Sequence, residues 1–199
     1  MNYLGHLYFS NNDLELMYAN LFGDFVKGKN YTQYSKKIQL GVRLHRTIDD
    51  YIDNHPAVVE LLHELYEPLP KVAGIAIDLM FDHLLAKNWK DYHEVPLEEF
   101  LDKFHNYDIE LNQYDKPQFS FVIDKMREHK WIYHYKTTFG LTKACEGLSK
   151  RISFPNELYK GAQVFETHEE NIEKAFRKFM DDAIPFYASY FENLQSDLG

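Results

Sequence analysis

The chain has 199 residues, of which 45% are hydrophobic and 27% charged, with a single cysteine. That composition excludes a disordered chain, a disulfide scaffold and a cysteine-based zinc site, and the length suits one domain over 1–199 with its own core. A net charge of −9 argues against a general nucleic-acid binder.

Apolar residues recur at three- and four-residue intervals and no long alternating run occurs, so the chain reads as helices throughout. Asn12 or Asp13 can cap a helix running to about 27, with Gly28 as its stop. A second helix is predicted over 34–54, where Ile38, Val42, Ile48 and Ile52 form one apolar stripe. Pro56, Pro70, Pro96 and Pro117 open or precede helices over 57–66, 72–87, 97–112 and 119–131. A weaker helix covers 141–151. The last runs from Thr167, with Glu170 three residues on, to 194, and Pro185 should kink it. The expected fold is all-α, a single compact domain of about seven or eight helices. The opening MNYLGHLYFS lacks the basic-then-apolar pattern of a signal peptide, and no apolar run approaches about 18 residues, so a cytoplasmic protein without membrane contact is expected.

Residues four apart share a helix face. His45, Asp49 and Asp53 stand at successive four-residue steps, as do Asn20 and Asp24, and Asp78 and Asp82, the last followed by His83. Asp78 and Asp82 interrupt IAIDLMFDHLL, an otherwise buried stretch. A carboxylate there must be paired, hydrogen-bonded or metal-bound, because bare burial costs several kcal/mol. His6 lies among Leu4, Leu7 and Tyr8. Each piece has a plainer reading: His6 as a core histidine, His45 and Asp49 as a surface ion pair, Asp53 as a helix-end residue, Asp78 as a structural group. Together, His and Asp side chains from several helices suit a divalent cation with oxygen and nitrogen ligands, which lowers the pKa of bound water and polarises phosphoryl oxygens. Arg46 and Lys27 could then hold a phosphate. His55, His63, His93, His105, His129, His134 and His168 sit among polar residues and read as surface groups, and Cys145 has no histidine paired to it by spacing.

The charge is uneven. Segments 1–50, 51–120, 121–160 and 161–199 carry net +1, −9, +4 and −5. No acid occurs over 25–48, which holds Lys27, Lys29, Lys36, Lys37, Arg43 and Arg46. A local basic stretch in an acidic chain is either a solvated helix face or an anion-recognition site.

The ordered motifs Asn2-x-Leu4-x-His6, Asn20-x-x-x-Asp24-Phe-Val-Lys-Gly28, Gly41-x-x-x-His45-Arg46-x-Ile48-Asp49-x-x-x-Asp53 and Asp78-x-x-x-Asp82-His83-x-Leu85 resemble the acyl carrier protein phosphodiesterase family. Trp131 and Tyr135 fall where that family carries a Trp and a Tyr. The resemblance implies an all-helical, HD-phosphohydrolase-like enzyme that removes 4′-phosphopantetheine from holo acyl carrier protein with Mn²⁺ or Mg²⁺. By that resemblance Asp24, His45, Asp49 and Asp82 are expected to hold the metal, His6 and His83 to complete the shell or move a proton, and Arg46 to contact the phosphate. The chain has Asp82-His83 and His45-Arg46 where the wider HD pattern has adjacent His-Asp. Acyl carrier proteins are acidic, so docking is expected on the 25–48 stretch or on the 121–160 stretch, with Lys125, Arg127, Lys130, Lys136 and Lys143. The competing expectations are an HD-type phosphohydrolase acting on a nucleotide or other small phosphate ester, and a non-catalytic helical module that binds metal or a partner.

Overall fold

A computed structural model describes residues 1–196 and shows nine α-helices among them, joined by short 3-10 turns. In chain order they are α1 (Tyr3–Tyr8), α2 (Leu14–Leu21), α3 (Lys36–Asn54), α4 (Pro56–Leu65), α5 (Ala73–Lys87), α6 (Leu97–Asn106), α7 (Pro117–His129), α8 (Thr138–Ser149) and α9 (Gly161–Ser196). No strand occurs among the described residues, and no described helix is long and apolar enough to cross a membrane.

Local chemistry sets most helix starts. Asp13, Ser35 and Thr137 accept from the backbone N–H three residues on, and Pro56 and Pro117 occupy first-turn positions where a missing N–H costs nothing. Helix α3 buries Ile38, Val42, Ile48 and Ile52, the stripe expected from the sequence, together with His45. At the α2–α3 crossing Gly41 meets Ala19 so closely that a Cβ would stand 2.3 Å from the Ala19 Cβ. Helix α5 is apolar nearly all round and packs against α1, α4, α8 and α9. A helix with no polar face belongs at the centre of the bundle.

Several boundaries differ from the sequence reading. The helix α1 was not anticipated, since six residues are too few to show a period. The helix expected to 27 ends at Leu21, and the chain tightens into a 3-10 turn at Phe22–Phe25, where Gly23 lies against the His45 ring. The helix expected to 112 ends at Asn106, after which Tyr107 is extended and gives its carbonyl to Arg127. Helix α9 starts at Gly161 rather than Thr167, and its non-helical residue is His168, not Pro185, which continues within the helix. The His168 ring nitrogen meets Glu64 at 2.8 Å, tying the bend to α4. His55 and His105 are buried rather than surface groups: His55 pairs with Asp182 on α9, and the His105 ring donates to the Leu101 carbonyl of its own helix. Cys145 is buried, and burial pushes its thiol up to about 12, as suits a core residue.

Candidate active site

Three short pieces of chain meet at one point. Helix α1 supplies His6, the 3-10 turn after α2 supplies Asp24, and α3 supplies His45 and Asp49. Both imidazoles are buried, each 4% exposed, and they stack with ring centres 4.2 Å apart. The His6 Nε2 lies 3.3 Å from one Asp49 oxygen, and the His45 Nε2 lies 3.2 Å from the other and 3.2 Å from Asp24. Asp24 is the most open of the four, at 61%.

The orientation of His6 is fixed by its neighbours. The Asn20 amide nitrogen donates to the His6 carbonyl at 2.9 Å and to the Ser10 hydroxyl at 3.0 Å. Its oxygen therefore faces the His6 Nδ1 at 3.0 Å and accepts from it. With the proton on Nδ1, the Nε2 lone pair points at the Asp49 carboxylate. Two acceptors face each other there, and only a proton or a cation between them makes the contact favourable. Burial holds the His6 pKa down, Asp49 works against this and the His45 charge reinforces it. Burial alone would also lower His45, but hydrogen bonds and charge from Asp24 and Asp49 push it up to about 9. Burial would raise Asp24 and Asp49, and their hydrogen bonds to His45 outweigh it, so both are lowered, Asp49 also through His6.

Donor atoms of His6, His45 and Asp49 all lie within 4.8 Å of one another. Ligand edges of an octahedral ion with bonds of about 2.1 Å are about 3.0 Å, close to the 3.2–3.3 Å contacts seen. Two imidazoles and the Asp49 carboxylate form the mixed nitrogen–oxygen set that suits a divalent ion, Asp24 adjoins it through its contact with His45, and the Asn20 bond is the outer hydrogen bond such a histidine needs. The His45 Nδ1 is buried without a partner; its ring is held by packing, since a Cβ on Gly23 would fall 2.3 Å from its Cγ.

The other residues anticipated at this site stand elsewhere. Asp82 is fully buried and spends both oxygens on the first turn of α1, accepting from Leu4 N at 2.7 Å and Gly5 N at 3.0 Å. It positions the helix that carries His6 and is absent from the ligand cluster. Burial raises its carboxyl to about 7, against the Met1 ammonium and the two backbone donors. The His83 ring donates from Nδ1 to the Tyr135 carbonyl at 2.6 Å and packs on Phe165, outside the cluster. Arg46 donates to the Val26 carbonyl at 2.9 Å and lies over the Tyr31 ring, bracing the loop after Asp24 from behind. Asp78 pairs with the Met1 amino group at 2.9 Å.

The cluster opens into a cleft of about 770 Å³. Its polar lining includes His6, Asp24, Asp49, Asp53 and Asp78 on one side and Lys143 and Arg151 on the other. Its apolar wall includes Ile52, Ile75, Leu79, Trp131, Tyr135 and Leu148. Sequence reasoning passed over Arg151, although Lys143, Gly147 and Arg151 repeat the four-residue step that singled out His45, Asp49 and Asp53. The basic residues expected to form a face over 121–160 each have a local partner. Lys125, Lys130, Lys136 and Lys143 pair with Glu128, Asp102, Glu98 and Glu146, and Arg127 donates to the Tyr18 hydroxyl and the Tyr107 carbonyl. By contrast Lys27 and Lys29 join Lys116 around a second pocket of about 350 Å³ whose lining contains no carboxylate side chain.

Fold and site together define an all-helical protein with a His–His–Asp group suited to a divalent ion. The family profile described as "Acyl carrier protein phosphodiesterase" matches residues 1–183. A protein of that name from Enterobacter sp. (strain 638) is 28% identical over 180 residues, covering 90% of this chain and 93% of the relative. One from Salmonella agona (strain SL483) is 27% identical with the same coverage. The chain belongs to the acyl carrier protein phosphodiesterase family. No solved structure matches it.

Proposed function

We propose that the cleft is a phosphodiesterase site that removes 4′-phosphopantetheine from holo acyl carrier protein, on an HD-phosphohydrolase-like helical fold and in the cytoplasm. The observation that carries this reading is the convergence of the His6 and His45 Nε2 atoms on the Asp49 carboxylate at one end of the cleft, in a chain of this family. His6, His45, Asp49 and Asp24 would hold Mn²⁺ or Mg²⁺. An ion there supplies Lewis acidity toward a phosphoryl group and toward water. In the hydrolysis, the oxygen of water adds to phosphorus, the P–O bond to the carrier serine breaks and the serine oxygen takes a proton.

The chain's own groups set the stage for that step. Asn20 keeps the His6 proton on Nδ1 and its Nε2 lone pair turned to the site. Gly23 holds the His45 ring in place. Asp82 anchors α1, so that His6 does not shift with fraying of a six-residue helix. The partner follows from charge. An acidic carrier approaching an acidic enzyme needs a local basic landing point, and the lysine-lined pocket begins at Phe25, the residue after Asp24. Carrier binding is therefore expected to weaken with salt.

The pH dependence of metal binding has a definite sign. In the metal-free protein His45 is protonated at pH 7, because its pKa stands at about 9. A metal must displace that proton. Mn²⁺ affinity is thus expected to rise about tenfold per pH unit between 7 and 9 and to level off above. Calorimetric titration at stepped pH measures it; an affinity that does not change with pH would contradict this ligand role. The function itself is tested by incubating the protein and Mn²⁺ with holo acyl carrier protein and measuring intact mass. Loss of the arm's mass, prevented by a chelator, supports the reading. An unchanged carrier with turnover of small phosphate esters would favour a small-molecule phosphohydrolase, and metal-dependent stability with no turnover would favour a binding module.

A further inference from the structure

A diester is anionic, yet the cleft presents it with Asp24, Asp49 and Asp53, besides Asp78, which pairs with the Met1 amino group. Something in the lining must offset that repulsion beyond a metal. Arg46, the arginine next in sequence to His45, is committed to Val26 and Tyr31 and does not line the cleft. The lysine and arginine side chains that do are Lys143 on α8, which pairs with Glu146, and Arg151 in the turn that closes it. Burial raises the Tyr3 phenol, the Arg151 charge works against this and the Asp24 charge adds to it, so both charges act on one side chain of the cleft wall. Arg151, Tyr3, His6, Asp24 and Asp49 thus line one cleft. Tyr3 lies one turn before His6 on α1 and lines the cleft with it.

Between the two cations lies Gly147, one helical turn, or about 6 Å, beyond Lys143. It sits inside α8, where glycine favours helix less than any residue but proline. A Cβ there would meet nothing within 4 Å, and its backbone has an ordinary helical φ. No packing contact and no turn requires glycine. The space above it belongs to the cleft.

We infer that Arg151 is the cation that contacts the scissile phosphate, and that the open floor at Gly147 carries the ester's extended substituent along α8 toward Lys143. The planar fork of an arginine suits two phosphoryl oxygens at once. The apolar wall of Trp131, Tyr135 and Leu148 suits an uncharged flexible chain beside that phosphate. The inference rests on the proposed phosphodiesterase reading and adds which residues position the substrate.

Three variants test it on the full chain with Mn²⁺, using holo acyl carrier protein and bis(p-nitrophenyl) phosphate as substrates. Arg151→Gln should lower kcat/KM about a hundredfold on both, with Mn²⁺ affinity unmoved, and Arg151→Lys should restore part of it. Gly147→Leu should raise the carrier KM about tenfold by filling the floor, while its Tm stays at or above the wild-type value. Wild-type kinetics in Arg151→Gln, or an unmoved carrier KM in Gly147→Leu, would overturn the inference while leaving the phosphodiesterase reading intact. A wild-type protein that cleaves neither substrate would overturn both. Cleavage of the small diester alone would remove the carrier and the Gly147 track, and Arg151→Gln on that diester would still decide the phosphate contact.

Discussion

Replacing His45 by alanine should lower metal-dependent turnover by about a thousandfold or more and weaken Mn²⁺ binding by about a hundredfold, with the helical fold retained. The size follows from its place at the centre of the site. Its Nε2 is the atom that meets both Asp24 and Asp49. Without it the two carboxylates face one another across an empty space, and a bound ion loses a nitrogen donor that no neighbour can replace. His6 is already turned to Asp49, and Asn20 fixes its ring. The variant should remain folded, because the surrounding α2–α3 contact is made by Ala19 and Gly41 rather than by the imidazole. Far-ultraviolet circular dichroism and a Mn²⁺ titration read the two halves of the expectation. A folded His45→Ala protein with wild-type turnover would remove His45 from the chemistry.

The second large effect is on stability. Asp82→Ala should cost about 2–4 kcal/mol, because the Leu4 and Gly5 N–H groups lose their buried acceptor. Asp82→Asn keeps one acceptor oxygen and should cost less. The pH dependence separates the two causes. Burial raises the Asp82 carboxyl from 3.8 to about 7, so the folded chain holds this proton more tightly than the unfolded chain does. The stabilisation linked to that proton is complete below about pH 3.8 and is lost as pH rises through about 7. Asp82→Asn has no such proton. Its stability relative to wild type should therefore improve between pH 5 and pH 7.5 in chemical denaturation. A difference that is constant over that range would mean that the carboxylate is not held against its burial.

Helix-face arithmetic brings His45 and Asp49 together and reaches no further. His45 and Asp49, four apart on α3, do share a face, and their nitrogen and oxygen atoms meet at 3.2 Å. His6 and Asp24 join them from other elements, a long-range approach that spacing cannot show. Arg46 and His83 each follow a marked residue by one position. Neighbours on a helix point about 100° apart, so Arg46 faces away from His45 and His83 away from Asp82. Arg46 turns to the loop after Asp24, and His83 turns to Tyr135. Asp82 reads as a buried carboxylate that needs partners, but sequence does not distinguish a metal ion from the N–H groups of a distant first turn. The charge map over 121–160 has the same limit. Net charge along the chain says nothing about pairing across it, and Lys136 and Lys130 find Glu98 and Asp102 on α6. Of the fold, the long amphipathic helix α3 and the apolar α5 were legible from their patterns, whereas α1 and the break at His168 depend on tertiary contacts.

The central claim is that His6, His45, Asp49 and Asp24 form one divalent-cation site at the end of the cleft. Crystals of the protein grown with Mn²⁺ and measured at the manganese absorption edge test it directly. The expected result is an anomalous peak at bonding distance from the Nε2 atoms of His6 and His45 and from the Asp49 carboxylate, and its loss in His45→Ala. A peak seated instead on Asp82 and His83, or no peak in a protein that still hydrolyses its substrate, would contradict it.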